Sequence, residues 1–250
     1  MVSLNEKIIY DHLKSLGIKQ NDHILLYSKL SSLGIIEKNL AKKVLKYIIK
    51  YLGKDSTLVM PSYSFEQSQN SCFRINKLQN NYSTSILVKE FFKRNDIVRS
   101  FRLIHSHIGI GKKSSILKKN NNMNSFGKNS DFDLMKKNNF KCIFFGCMPS
   151  EAATYFFHLE YINKVPYRKK KYLKKKYKLK NQIKTTDFEY LSNDKLKKYN
   201  LNKSFSLLKK EGAKIKEVEL KFGKSYSISL KDFHRFGNKL FKKDINFLIK

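Results

Sequence analysis

Acid, proline and cysteine are all scarce in this chain: 20 Asp and Glu against 52 Lys and Arg, with 3 prolines and 3 cysteines in 250 residues. So little proline, alongside only 10 glycines, excludes collagen-like and low-complexity linker architectures. Cys72, Cys142 and Cys147 form no C-x-x-C pair, and their odd number argues for reduced thiols rather than a disulfide framework. Cys142 and Cys147 flank an apolar run and read as small core residues. No long uninterrupted apolar stretch is present. Met1 to Gly17 is polar and amphipathic, without an apolar signal region or a cleavage site, so a cytoplasmic protein without membrane insertion is expected.

The shortage of acid leaves a formal net charge of +32. Functionally this points to an anionic partner such as nucleic acid, an anionic membrane surface or a phosphorylated ligand. AT-rich codon drift is the competing account, since Asn, Ile, Phe and Tyr are abundant alongside Lys. On either account an anionic ligand is drawn in at long range and a polycation is repelled.

What is present is enough for a core: 41% of residues are hydrophobic and 13% aromatic, which excludes a wholly disordered chain. Apolar residues at helical spacing predict helices over Leu4–Leu16, over Leu40–Leu52 with Asn39 as a cap, over Thr84–Arg94, and over Glu151–Ile162. Short apolar runs predict buried strands at His23–Ser28, Thr57–Met60 and Lys141–Phe145. Helices alternating with buried strands mean a layered α/β/α sandwich on a central mixed sheet. Ligands in such folds lie beyond the strand ends, so the chemistry is expected just after Ser28, Met60 and Gly146. From Lys164 to Lys180 ten of seventeen residues are basic and none is acidic, with Tyr167, Tyr172 and Tyr177 interleaved. This predicts an extended, strand-like segment. It opens a basic C-terminal extension, 164–250, packed on the one domain that spans 1–250. Lys214–Leu220 alternates like a half-exposed strand, and Leu230–Phe241 reads as a final helix.

Five strings, in order, resemble the aminoglycoside 3-N-acetyltransferase family. Leu25–Gly34 (LLYSKLSSLG) is similar to V-H-S-S-L-S-S-L-G, and Leu58–Ser64 (LVMPSYS) to L-V-M-P-T-F-S. Val98–Gly111 carries Arg99-Ser100 and His105-Ser106 where the family has R-S…H/F-S. Ser125–Phe132 (SFGKNSDF) is close to F-G-x-x-S-P-F. Ile143–Glu160 resembles G-x-x…T-x-x-H-x-x-E and is followed by Val165-Pro166-Tyr167-Arg168. Together they span roughly residues 20–170. The chain departs from the pattern at Tyr27 (His in the family), at Arg102-Leu103 (His-Pro), at Asp131 (Pro) and at Phe157, where the T-x-x-H histidine belongs. His158 stands one place later, a turn of about 100° on a helix.

The resemblance implies an acyltransferase of the antibiotic-resistance kind that moves acetyl from acetyl-CoA to an amine of an amino sugar. Such a step needs a base of pKa near 7, oriented by a carboxylate, and donors for the developing oxyanion. His158 is the expected base. Glu160 is the carboxylate the resemblance implies, while Glu151 shares a helical face with Thr154 and His158 and is the geometric alternative. The turn Ser28, Lys29, Leu30, Ser31, Ser32 is expected to meet the thioester end of CoA, Arg99 and Ser100 its phosphates, and Tyr63 and His105 the acceptor. His105-Ser-His107 lacks a third ligand at recognisable spacing, so no metal is expected. Because acid is scarce and the basic segment follows the catalytic helix, the preferred acceptor is an anionic amino-sugar derivative rather than an aminoglycoside drug. Two other readings stand beside it: a catalytically impaired CoA-binding homologue, and a basic nucleic-acid-binding protein, for which no helix-turn-helix, zinc or RNA-recognition signature is visible. A homo-oligomer is compatible with all three.

Overall fold

The computed structural model describes residues 4–64, 72–74, 85–118, 124–152, 154–179, 182–193 and 199–249. The first residue of the expected Thr84–Arg94 helix, Ala153 of the expected Glu151–Ile162 helix and the last residue of the Lys164–Lys180 run lie outside them.

Three buried parallel strands form the centre: β1 (His23–Ser28), flanked by β2 (Thr57–Pro61) on one side and, on the other, by the strand at Lys141–Phe145. β3 (Cys72–Arg74) lies apart from them in a second sheet, while β4 (Val98–Arg99), β5 (His107–Gly111) and β6 (Lys141–Phe145) belong to the first. The C-terminal part supplies the hairpin β7 (Arg168–Leu179) and β8 (Gln182–Asn193), then β9 (Ile215–Leu220) and β10 (Gly223–Ser229). The central mixed sheet runs β4-β5-β2-β1-β6-β10-β9, and the smaller one β3-β7-β8.

The period of two in the strands sorts their side chains onto two faces. Ile24, Leu26, Leu58, Met60, Ile143 and Phe145 pack against α1 (Glu6–Ser15), α2 (Leu40–Leu52) and α3 (Ile86–Phe92). Leu25, Tyr27, Val59, Cys142 and Phe144 face the other way, onto α4 (Asp131–Lys137), then α5 (Pro149–Ala152) and α6 (Thr154–Asn163), α7 (Ser204–Lys210) and α8 (Leu230–Lys243). Burying one such aliphatic side chain contributes about 1.5–3 kcal/mol, so each face is held by many small increments. The expected three-layer α/β/α arrangement is therefore the one observed.

Two local expectations change. Asn39 precedes α2 in a left-handed conformation (φ 61°) and makes no side-chain capping bond, whereas Ser85 caps α3 by accepting from Val88 N–H. The basic segment is indeed a strand, but the residues after it do not form an extension. β10 pairs antiparallel with β6 and β9 with β10, so the chain returns to complete the central sheet. The hairpin is anchored by Leu103, Tyr177 and Phe188, with Phe101, Ile104 and Leu173 around them.

Candidate active site

Parallel strands leave their carboxyl ends on one side of the sheet, and the loops after β1, β2 and β6 meet there. They enclose a cleft of about 490 Å³ lined by Tyr27 and Ser28 at the end of β1 with Lys29, Leu30 and Ser31 following, Pro61 at the end of β2, Cys147, Glu151 and Ala152 after β6, and Ser85, Ile86 and Val88 at the start of α3. These are the three places the strand pattern singled out.

The turn after β1 is a short 3-10 helix, Leu30–Leu33, closed by Gly34 at φ 65°. Its serines do not cap it. Ser28 Oγ lies 3.1 Å from Ser85 Oγ across the cleft, Ser31 is exposed, and Ser32 is buried and donates its hydroxyl to the Gly146 carbonyl. Gly146, itself at φ 68°, is required there: a Cβ would stand 2.6 Å from the Lys29 carbonyl oxygen. Lys29 Nζ donates to Glu151 Oε1 at 2.8 Å, and Met148 N–H donates to Glu151 Oε2 at 2.8 Å. Burial pushes the Glu151 carboxyl up, but Lys29 and the Met148 N–H outweigh it and hold it below the ordinary carboxylate range. Burial, with Glu151 close by, pushes the Cys147 thiol up to about 12, so it stays protonated.

An aromatic corner closes the inner end. Tyr27 stacks on Phe144 with ring centroids 5.2 Å apart, and its hydroxyl lies 3.4 Å from that of Tyr63. The Thr154 hydroxyl bears on both phenols, and burial raises both far above the ordinary tyrosine range. The His105 ring meets Tyr63 edge-on at 5.1 Å and Phe126 at 4.8 Å, and Phe126 meets Phe157 at 6.5 Å. The Arg168 guanidinium lies over Phe157 at 4.4 Å and Tyr199 at 5.2 Å, and its Nε donates to Glu160 Oε2 at 2.8 Å. Burial pushes the Glu160 carboxyl up, against the opposing pull of Arg168.

The cleft thus brings together Ser28, Lys29, Leu30, Ser31 and Glu151; Tyr63 and Thr154 stand behind Tyr27 rather than in its lining, and His105 lies a further side chain away, against Tyr63. The cleft does not include His158. That ring is fully buried among Phe132, Tyr155 and His234, where Nδ1 accepts from Gly127 N–H at 3.2 Å. Burial, with His234 beside it, lowers its pKa to about 3. Neither carboxylate expected beside it is its partner: Glu160 holds Arg168, and Glu151 holds Lys29. The one-residue displacement from the T-x-x-H position turns the imidazole inward and leaves Phe157 in its place.

Arg99 and Ser100 are also turned inward. Arg99 Nη2 donates to the Ser62 carbonyl at 3.0 Å and to Ser106 Oγ at 2.9 Å, tying β4 to the end of β2, while fully buried Ser100 accepts from His107 N–H at 2.9 Å. His107 Nδ1 lies 2.9 Å from Asp131 Oδ2 rather than joining His105 at a metal, and among the described residues no three metal-ligating side chains come together. Tyr27 was noticed in the sequence only as a departure from the family pattern; its place at the end of a buried strand is the signal that could have put it at the site.

A three-layer α/β fold with a hydroxyl-lined cleft at the carboxyl ends of its parallel strands is a small-molecule-binding architecture. The chain belongs to the aminoglycoside 3-N-acetyltransferase family, whose sequence model matches residues 25–242. This is a family of acyltransferases that use acetyl-CoA. Among solved structures the chain is similar to YokD protein from Bacillus subtilis, with 20% identity, 96% of this chain and 100% of that chain covered, and a TM-score of 0.80. It is likewise similar to the apoenzyme of aminoglycoside acetyltransferase AAC(3)-IVa, with 17% identity, coverage of 98% and 91%, and a TM-score of 0.77. AAC-IIIb in binary complex with CoASH gives 12% identity, coverage of 96% and 97%, and a TM-score of 0.80. At these identities the likeness is one of fold. No curated protein sequence matches the chain. Among the described residues no helix is long and apolar enough to cross a membrane.

Proposed function

We propose that this chain transfers acetyl from acetyl-CoA to the amine of an anionic amino-sugar derivative, such as an amino sugar attached to a nucleotide or phosphate carrier. The acyltransferase class follows from the family; the acceptor is our reading. The observation that carries it is the charge of the site. Among the described residues Glu151 is the one carboxylate lining the cleft, and it is already neutralised by Lys29. At the aromatic corner Glu160 is neutralised by Arg168 in the same way, and Lys169, Lys170 and Lys171 follow on β7. A polycationic drug finds no free carboxylate among these residues, whereas a phosphate finds cations.

The donor set suits the co-substrate. Hydroxyls of Ser28 and Ser31, the backbone of the turn through Ser32, and Lys29 can receive the polar pantetheine chain and the thioester carbonyl, with Tyr27 at the inner end. Tyr63 and Thr154, behind Tyr27, and His105 beyond them would back the acceptor side. Kinetics with a panel of kanamycin-class drugs and nucleotide-linked amino sugars test this reading: turnover of the anionic acceptors, weakened by salt, is expected, and efficient turnover of the drugs alone overturns it. The burial of His158 favours a second reading, a homologue that binds CoA without transferring acetyl. CoA binding with no acetylation of any amine would establish that one instead.

A further inference from the structure

The outer groove between α2 and α3 lies on the helical layer opposite α6, and acetyl transfer makes no use of it. We propose that this groove docks the protein on an anionic bilayer by holding a phospholipid at the membrane surface. The proposal does not depend on the acceptor or on the chemistry of the cleft.

The sequence of α2, LAKKVLKYIIKYL, contains no acidic residue. Its helical period buries Val44, Ile48 and Leu52 against the sheet. The same period sets Lys42, Lys46 and Lys50 one turn apart on the exposed side, about 12 Å from first to last. Between the two sides, Leu45 and Ile49 form the apolar floor of a groove of about 590 Å³. α3 runs from the cleft, at Ile86 and Val88, to this groove, where its end contributes Glu90, Lys93 and Arg94.

Five cations thus stand around one carboxylate among the described lining residues. Lys93 Nζ donates to Glu90 Oε2 at 2.7 Å, Lys50 Nζ to Glu6 Oε2 at 2.9 Å, and Arg94 Nη2 to Asp96 Oδ2 at 2.6 Å. All three are surface pairs, which hold weakly against water and salt. Lys42 and Lys46 enter no ion pair among the described residues. Those two lysines leave the groove with uncompensated positive charge above an apolar floor.

Such a groove fits a ligand whose anionic group adjoins an apolar body. A phospholipid offers both: its phosphate meets the lysine heads, and the start of its acyl chains lies on Leu45, Ile49 and the lysine stems. Nucleic acid would satisfy the cations but has no aliphatic part for that floor. Ile36, 95% exposed in the loop leading into α2, adds an apolar side chain for the interface. The β7–β8 hairpin is also basic, but Asp187 and Glu189 stand among its lysines, and Glu189 accepts from the Tyr172 hydroxyl at 3.1 Å. Near an anionic leaflet each basic residue of the groove adds about fivefold to affinity.

Cosedimentation of the full chain with vesicles decides the matter, using phosphatidylglycerol mixed with phosphatidylcholine against phosphatidylcholine alone. Binding to the anionic vesicles only is expected, weakening as salt rises. Replacing Lys42 and Lys46 together by Gln should weaken it about 20-fold or more. Replacing Lys174 and Lys176 by Gln removes the same charge from β7 and should weaken it less than about threefold. The chain has no tryptophan, so Ile36→Trp carries its only indole, whose emission should shift to the blue on the anionic vesicles. Absence of binding to the anionic vesicles overturns the proposal, and so does an indole unmoved by them. Equal losses in the two double variants overturn it too, because net charge alone would then be the cause. Binding of single-stranded RNA that is lost with Lys42 and Lys46, without vesicle binding, would assign the groove to nucleic acid instead.

Discussion

Arg102 and Asp131 face each other in a fully buried ion pair, with Nη2 3.1 Å from Oδ1 and each side chain about 1% exposed. Asp131 uses its other oxygen to hold His107 Nδ1 at 2.9 Å. Both acid and base stand where the sequence leaves the family pattern, at the His-Pro and Pro positions. The two departures are therefore one feature: a charge buried by the first is matched by the second, beneath the turn that carries His105.

Breaking one side of a buried pair leaves the other charge uncompensated. Asp131→Asn is expected to lower the unfolding free energy by about 3–5 kcal/mol, and the double replacement Arg102→Met with Asp131→Leu by clearly less. Denaturant titration of the single and double variants measures this; additive losses would contradict the pairing.

Acid should unfold the protein in two stages. Burial lowers the pKa of His158 and His105 to about 3 from 6.5. The unfolded chain thus binds their protons first, and stability falls as pH drops below 6.5 towards 3. Asp131 behaves differently: burial opposes its ionisation, but Arg102 and His107 outweigh it and hold its pKa below 3.8, so its contribution is complete above that value and fades as pH falls below it. Replacing His158 by Gln should remove up to about 1.4 kcal/mol per pH unit from the slope between pH 6 and 4. An unchanged slope would mean that His158 is not buried in its neutral form.

Gly146→Ala tests the close approach of β6 to the serine turn. Its Cβ would fall 2.6 Å from the Lys29 carbonyl oxygen and 2.9 Å from Ser32 Cβ, at a left-handed φ of 68°. A loss of about 1–3 kcal/mol is expected from the backbone conformation, with a raised KM for acetyl-CoA as the turn shifts. Thermal melts and steady-state kinetics read the two effects separately.

Glu151→Gln frees Lys29. The pair is about half exposed, with side-chain exposures of 44% and 52%, so stability should change by less than about 1 kcal/mol. Affinity for the anionic CoA should instead rise about two- to fivefold at low salt, an advantage that vanishes as salt screens the charge. Isothermal titration at two salt concentrations checks this; weaker binding in the variant would show that Glu151 holds the turn in its receptive form.

The elements read well from sequence are those whose side chains report burial locally. The apolar runs at His23–Ser28, Thr57–Met60 and Lys141–Phe145 are strands buried on both faces, and their ends border the cleft. β8 and β10 were not foreseen, because segments such as GKSYSIS are polar and acquire strand structure from a partner: Tyr226 pairs with Phe144, far back in the chain. The short helix α4 was missed for a similar reason, its start being set by Ser130, which accepts from Asp133 N–H.

Short apolar runs and helical spacing were thus sufficient for the layers and for the strand ends where a ligand meets them, since each depends on neighbours a few residues away. That the expected imidazole does not reach that place was decided by packing. On a helix with apolar residues all round, one step of sequence turns a side chain by about 100°, and only the surfaces of α4 and α8 closing over α6 determine that His158 goes inside while Phe157 meets Arg168. Charge pairing is non-local in the same way: Glu160 with Arg168, Glu151 with Lys29 and Arg102 with Asp131 are brought together by the fold rather than by spacing along the chain.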